Sequence, residues 1–133
     1  MRIRYHIAKA ERIEQTLRKL SIVDDYEMVI ESCMLAATHY FNAAMHAAGI
    51  THEMQDQAHT ARPPLDFLKT PLTPDLAQGA QALAFIENTR KHHIRGGAPY
   101  DADLVDNCLK SLAEAKKIFL AVVGTAKDKV AWE

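Results

Sequence analysis

Apolar residues recur at three- and four-residue steps in four stretches of this chain, which is the spacing of one buried face of an α-helix. The first stretch covers residues 2–20. The second begins at Asp24 or Asp25, either of which can cap a helix amino terminus, and ends at Gly49, which can adopt the left-handed conformation typical of a helix end. These patterns predict two amphipathic helices joined by a short turn.

Two further helices are predicted in the second half of the chain. Thr73 offers a capping hydroxyl directly before Pro74, which favours a third helix over residues 74–94. Asp101 can cap a fourth helix, which Gly124 is expected to end. That helix carries an apolar seam at heptad-like spacing, formed by Leu104, Cys108, Leu112, Ala115, Phe119 and Val122.

The stretches between these helices contain no alternating run of Val, Ile and Thr, so a sheet is not expected. Residues 50–72 are polar and contain three prolines, which predicts a long connection with at most a short helical turn over residues 51–59. The predicted fold is therefore all-α, a four-helix antiparallel bundle with a long connection between helices two and three. We expect one domain over residues 1–124 and a loosely ordered tail over residues 125–133.

Composition excludes several classes of protein without selecting one. The 133 residues include 16 Lys and Arg against 17 Asp and Glu, so the net charge of -1 offers no general attraction for nucleic acid or an anionic membrane. No apolar run approaches the roughly 20 residues that span a bilayer, so we expect a cytoplasmic protein with no membrane partner. Cys33 and Cys108 lie among apolar residues at helical spacing, which favours two buried thiols over a disulfide.

Helix two carries a second row of side chains outside its core face. At 100 degrees per residue this row consists of Met28, Leu35, His39 and His46. A helix that is apolar or semi-apolar over most of its circumference is usually buried on more than one side. The row is therefore predicted to meet either another chain or the 50–72 connection, and we expect a homodimer with this row in its interface.

The seven histidines raise the question of a metal site. His39 and His46 are seven residues apart, which separates their side chains by about 10 Å along the helix, too far for one shared ion. The spacing therefore favours histidines that form hydrogen bonds at a surface or interface, with no metal or other cofactor. The alternative is an ion held by one histidine of helix two and one of the connection, with Glu53 or Asp56 nearby.

The end of helix three is strongly basic, and Tyr100 follows it. The basic residues are Arg90, Lys91, His92, His93 and Arg95. Cations at this position complement the helix dipole, and Glu87 can pair with Arg90 or Lys91, so no ligand is required. Alternatively, the arginines can contact phosphate and Tyr100 can stack on a base, which would make the segment a site for an anionic ligand or RNA.

Two features resemble the HEPN superfamily. One is the Ala/His/Asn-rich run over residues 36–44, in a helix that is predicted to end at Gly49, and the other is the basic segment before the last helix. This resemblance covers roughly 100 residues and implies a small, often dimeric helical bundle that acts as a toxin ribonuclease or as an accessory protein. The ribonucleases carry Arg followed by His after four to six residues. Here His92 and His93 follow Arg90 too closely, so the resemblance implies a non-catalytic member.

These observations favour a non-catalytic, dimeric helical binding or accessory protein whose ligand surface lies near the end of helix three. The alternative is an enzyme of one of two kinds. One is a divergent HEPN-like ribonuclease that uses Arg90 with His92 or His93. The other is a metal-dependent enzyme that uses the histidines of the connection.

Overall fold

The computed structural model describes residues 1–54, 56 and 72–127. It contains four helices: α1 (Ile3–Leu17), α2 (Tyr26–Ala47), α3 (Pro74–Arg90), which continues into a π-helical turn (Lys91–Arg95), and α4 (Ala102–Lys127). No strand occurs among the described residues. The prediction of an all-α four-helix bundle is confirmed. Most of the long connection between α2 and α3 lies outside the described residues, including part of the helical turn predicted at 51–59.

Three of the predicted helix boundaries are visible in detail. The Thr73 hydroxyl accepts a hydrogen bond from the backbone N–H of Leu76 at 3.3 Å. Asp101 Oδ1 accepts from the backbone N–H of Leu104 at 3.2 Å, so this carboxylate caps α4. Gly49 follows α2 with φ of 73°, the left-handed conformation that a glycine adopts without a steric penalty. These local signals therefore place three of the helix ends.

One predicted cap, Asp25, lies at its expected position without making the capping hydrogen bond, and one predicted helix end is wrong. Asp25 stands at the N-cap of α2, but its carboxylate accepts a hydrogen bond from the backbone N–H of Ser21 at 2.8 Å and none from the helix. The carboxylate thus closes the turn between α1 and α2. Gly124, expected to end α4, lies inside it, and the helix continues to Lys127. The rest of the predicted tail, residues 128–133, lies outside the described residues.

Contacts between α1 and α2 establish that they run in opposite directions. His6, near the start of α1, meets His46, near the end of α2, at a ring separation of 5.4 Å. Further along α1, Glu14 accepts a hydrogen bond from the Tyr40 hydroxyl. Lys116 of α4 also reaches Glu14, with Nζ 3.0 Å from Oε2, so one carboxylate links three helices.

Helix α2 is the central element of the bundle, because it packs against α1, α3 and α4. Most of its 22 residues are buried, which explains why it is apolar over nearly its whole circumference. Cys33 lies in this core together with Cys108 of α4, and both are free thiols. Burial raises the pKa of Cys33 to about 12 and that of Cys108 to about 11, so both remain protonated near neutral pH. The prediction of two core cysteines is confirmed.

Helix α4 packs closely against α3 where a large side chain meets a glycine. The ring of Phe119 lies against Gly79 of α3, where an added Cβ would stand 2.7 Å from Cζ. The same ring packs edge to face with Phe41 of α2 at 5.6 Å. The predicted seam is buried at its four middle positions, whereas Leu104 and Val122 at its ends are half-buried and line surface grooves.

Within the described ranges, none of the helices combines the length and the apolar character needed to cross a membrane.

Candidate functional site

The basic segment that follows α3 forms a π-helical turn rather than a continuation of the α-helix. In this turn the backbone N–H of Gly96 donates to the carbonyl of Lys91, five residues earlier, at 3.0 Å. Single π-helical turns are rare in α-helices and are frequent at functional sites. The turn ends before Gly97, which has φ of 72°.

Arg90 has a structural partner in the bundle. Its side chain is 10% exposed, and Nε lies 2.6 Å from Oε2 of Glu31 on α2. This charge-assisted hydrogen bond ties the end of α3 to the first half of α2. Arg90 is predicted to complement the dipole of its own helix, and the structure shows that it also forms an ion pair with a different helix.

An open groove of about 420 Å³ lies beside the π-helical turn. Its lining includes Phe85, Asn88, His92, His93, Tyr100 and Asp101. The structure thus brings three of the predicted binding residues, His92, His93 and Tyr100, to one concave surface. Arg90 is not among the residues that line this groove. Lys91 and Arg95 are exposed on the same π-helical turn.

His93 is the unusual member of this groove. Its side chain is buried, at 4% exposure, and Nδ1 has no hydrogen-bond partner in the described part of the chain. A buried polar atom without a partner costs about 1–3 kcal/mol, so such an atom needs an explanation. Tyr100, another residue of the groove lining, is 37% exposed, and its ring packs against that of Tyr26 at 5.3 Å.

A second cluster of polar side chains lies near the other end of α2. His6 of α1 and His46 of α2 both direct Nε2 at the same oxygen, Oδ1 of Asp56, at 2.9 and 2.7 Å. The imidazoles are almost fully buried, at 1% and 4% exposure, whereas Asp56 is one-third exposed. His39 lies behind His6, with the two Nδ1 atoms 2.9 Å apart.

The electrostatics of this cluster favour a charged carboxylate facing a neutral imidazole. Burial acts to raise the pKa of Asp56, but hydrogen bonds from the Met1 amino group, His46 and His6 outweigh it and lower the pKa to about 2. Burial lowers the pKa of His6 below its ordinary value, although the Asp56 carboxylate acts in the opposite direction.

The two clusters are separate sites. Glu31, which holds Arg90, and His46 are fifteen residues apart on α2, about 22 Å along the helix axis. The predicted interface row divides between two environments. His39 and His46 contact residues of their own chain, whereas Met28 is 56% exposed.

Sequence reasoning missed His6. A signal was present, because His6 shares the buried face of α1 with Ile3 and Ala10, at three- and four-residue steps. A polar side chain on a buried face needs a partner, and this one finds it on another helix and in the connection. The alternative of an ion held by one histidine of helix two and one of the connection, with Glu53 or Asp56 nearby, included His46 and Asp56, but the second imidazole of the cluster is that of His6 on α1.

The fold and these two clusters define a small helical bundle with one open groove and one buried group of histidines. Comparisons of the chain with models of protein families, with curated proteins and with solved structures find no match.

Proposed function

We propose that this protein is a non-catalytic binding or accessory protein whose ligand occupies the groove beside the π-helical turn. The observation that carries the proposal is His93, a residue of the groove lining whose buried Nδ1 lacks a partner within the described residues. A ligand that hydrogen-bonds to this atom would remove the cost of leaving it unpaired. The volume of about 420 Å³ lies in the range of small-molecule sites.

The chemistry of the groove favours a ligand with a flat ring and an anionic group. Phe85 and the partly exposed ring of Tyr100 offer apolar and stacking surfaces. Lys91 and Arg95 supply positive charge on the adjoining turn. The groove also contains Asp101, but its carboxylate is engaged with the amino terminus of α4. A nucleotide, free or as part of single-stranded RNA, combines these features.

Thermal unfolding in the presence of ligand tests this function. We expect the melting temperature to rise with the logarithm of the concentration of a mononucleotide or a short RNA, because the ligand binds only the folded state. At a hundred times Kd the gain is about 2.7 kcal/mol. His93→Phe removes the unpaired nitrogen and keeps a ring, so it should unfold at an equal or higher temperature without ligand but lose the ligand response.

The controls separate this site from general charge effects. Tyr100→Ala should reduce the response to the mononucleotide more than the response to inorganic phosphate, since phosphate has no ring to stack. Lys117→Gln, on the exposed face of α4, should leave both responses unchanged. The proposal fails if no ligand raises the melting temperature of the natural protein, or if His93→Phe retains the full response.

The proposal includes a homodimer. Its support is a set of exposed apolar residues at the turn between α1 and α2 and in the first turn of α2: Ile22 is 49%, Val23 58% and Met28 56% exposed. Exposed apolar patches often mark contacts between proteins. His39 and His46 do not support it, because they contact their own chain.

Light scattering measures the mass in solution and tests the dimer. We expect the natural protein to have twice the monomer mass at micromolar concentration, and Met28→Glu to shift it to the monomer, since a buried unpaired charge is costly. Met54→Glu is the matched control, because Met54 is 82% exposed but lies in the connection. A monomer mass for the natural protein contradicts the dimer.

The resemblance to the HEPN superfamily and the cytoplasmic location stay predictions. The ribonuclease alternative is not favoured by the placement of its residues. Arg90 is paired with Glu31, and His93 is buried, whereas His92 is exposed. We therefore propose binding without catalysis.

A further inference from the structure

The buried histidine cluster joins three parts of the chain that are distant in sequence. His6 comes from the first turns of α1, His46 from the last turn of α2, and Asp56 from the connection that follows. One donor atom from each of these side chains lies within 4.8 Å of the other two. Two imidazole nitrogens and a carboxylate oxygen therefore face one point.

The remote nitrogen of each imidazole has its own partner. His6 Nδ1 is 2.9 Å from His39 Nδ1, and His46 Nδ1 is 2.7 Å from the hydroxyl of Thr51. Histidines that bind metals almost always donate their second N–H to an outer partner, which fixes the tautomer and the ring orientation. His39 and Thr51 can both accept such a proton, which leaves the lone pairs of both Nε2 atoms directed at the shared point.

We propose that His6, His46 and Asp56 bind one divalent transition-metal ion of the zinc class, with His39 and Thr51 as outer partners that orient the two imidazoles. This site goes beyond the ligand groove and is independent of it. The donors exclude the commonest alternatives, because Ca²⁺ and Mg²⁺ prefer an all-oxygen set whereas imidazole suits zinc and its neighbours.

The three ligand atoms lie within 4.8 Å of one another, and Asp56 Oδ1 is closer to the two nitrogens than a ligand of the same zinc ion would be. Zinc lies about 2.0–2.1 Å from its nitrogen and oxygen ligands, so neighbouring ligands of a tetrahedral ion are about 3.3–3.4 Å apart. Here the nitrogens are 2.7 and 2.9 Å from Asp56 Oδ1, so the carboxylate must withdraw by about half an ångström. Asp56 is one-third exposed and lies outside the helices, so it is the ligand best able to move.

A tetrahedral ion takes a fourth ligand, and Asp56, which is one-third exposed, marks the side from which that ligand would come. The imidazoles close the site from within the bundle, since they are 1% and 4% exposed. The fourth position can be taken by water or by Asp56 Oδ2, which now accepts a hydrogen bond from the Met1 amino group at 2.8 Å. An ion here would be bound by residues of α1, of α2 and of the segment that follows α2.

A metal-free arrangement of the same side chains also satisfies their hydrogen bonds. In that arrangement both Nε2 atoms carry protons and donate to Asp56, while His39 and Thr51 donate to the Nδ1 atoms. Before an ion binds, both sets of tautomers fit the same heavy-atom positions. The test must therefore measure metal binding itself.

Isothermal titration of the full chain, after treatment with EDTA, measures this binding. With Zn²⁺ as the probe we expect one ion per chain with micromolar or tighter affinity, and a melting temperature that rises with Zn²⁺ concentration. Co²⁺ provides a second readout, because a site of low coordination number gives a strong visible absorption that hexaaqua Co²⁺ lacks.

Two variants remove different ligands with little change of shape. His46→Gln and Asp56→Asn should each weaken Zn²⁺ binding by about 100-fold or more and abolish the Co²⁺ absorption, since even outer-partner changes cost 10–100-fold. If His46→Gln fails to fold, Asp56→Asn still tests the site, because the Asp56 side chain is partly exposed and asparagine has the same size as aspartate. His52→Gln is the matched control: His52 is exposed and accepts a hydrogen bond from the backbone N–H of Met54 at 3.2 Å.

The proposal is overturned if the natural protein shows no saturable binding of Zn²⁺. It is equally overturned if Asp56→Asn binds Zn²⁺ as tightly as the natural protein, or if only His52→Gln loses binding. Each of these results would assign the cluster to the metal-free hydrogen-bonded arrangement.

Discussion

Phe119→Ala is expected to lower the free energy of unfolding by about 3–5 kcal/mol, as is typical of a buried phenylalanine reduced to alanine. Phe119 is fully buried and its ring lies between Gly79 of α3 and Phe41 of α2. Neither neighbour can readily fill the space, because one has no side chain and the other is held in the core. Urea denaturation followed by circular dichroism measures the change.

A double-mutant cycle with Gly79 makes this prediction specific. In the natural protein, Gly79→Ala should destabilise by about 1–3 kcal/mol, because its Cβ would collide with the Phe119 ring. In the Phe119→Ala background the same change should stabilise by up to about 1 kcal/mol, since alanine favours the helix and no ring opposes it. Equal effects in both backgrounds contradict the packing. Lys117→Ala, on the exposed face of α4, is the control and should change stability by less than about 0.5 kcal/mol.

Glu31→Ala is expected to cost about 2–4 kcal/mol, because it removes the carboxylate 2.6 Å from Nε of the buried Arg90. The value lies below that of a fully buried pair, since the Glu31 side chain is 21% exposed. Removal of both charges in Glu31→Met/Arg90→Met should cost less than the single change, because the buried Arg90 charge is then removed together with the Glu31 carboxylate.

The matched control for this pair is Asp106→Ala. Asp106 pairs with Lys110 at 2.9 Å, but both side chains are more than half exposed. A pair of this kind contributes roughly 0–1 kcal/mol, because water and salt screen the charges. If Glu31→Ala lowers the free energy of unfolding no more than Asp106→Ala does, the contact between Glu31 and Arg90 does not stabilise the fold.

The fold was largely predictable because its determinants are local. Thr73, Asp101 and Gly49 act on backbone groups within a few residues, and the apolar spacing that marks each helix is visible in the chain itself. Gly124 was misread because a glycine costs a helix only about 1 kcal/mol, which packing of the last turns can offset. Asp25 stands at the N-cap of α2 as predicted, but its carboxylate accepts a hydrogen bond from Ser21 and not from the helix backbone.

The sites were less predictable because they depend on contacts between distant residues. The basic segment was recognised, and His92, His93 and Tyr100 do share a groove. That Arg90 pairs with Glu31, fifty-nine residues away, and that Nδ1 of His93 lacks a partner in the described structure follow only from the packing of α3 against α2. His39 and His46 are seven residues apart on one helix, whereas the second imidazole beside Asp56 is that of His6, which comes from α1.

The contact between Gly79 and Phe119 also restricts how the bundle can be assembled. Helices with smooth apolar faces can slide past one another by a turn, about 5.4 Å, at little cost in buried area. Here the ring of Phe119 occupies a notch that exists only where α3 lacks a side chain. One turn further along α3, on the same face, the ring would meet Leu83, which is itself fully buried. The pair therefore selects a single axial alignment of α3 and α4 and disfavours misaligned bundles of similar hydrophobicity.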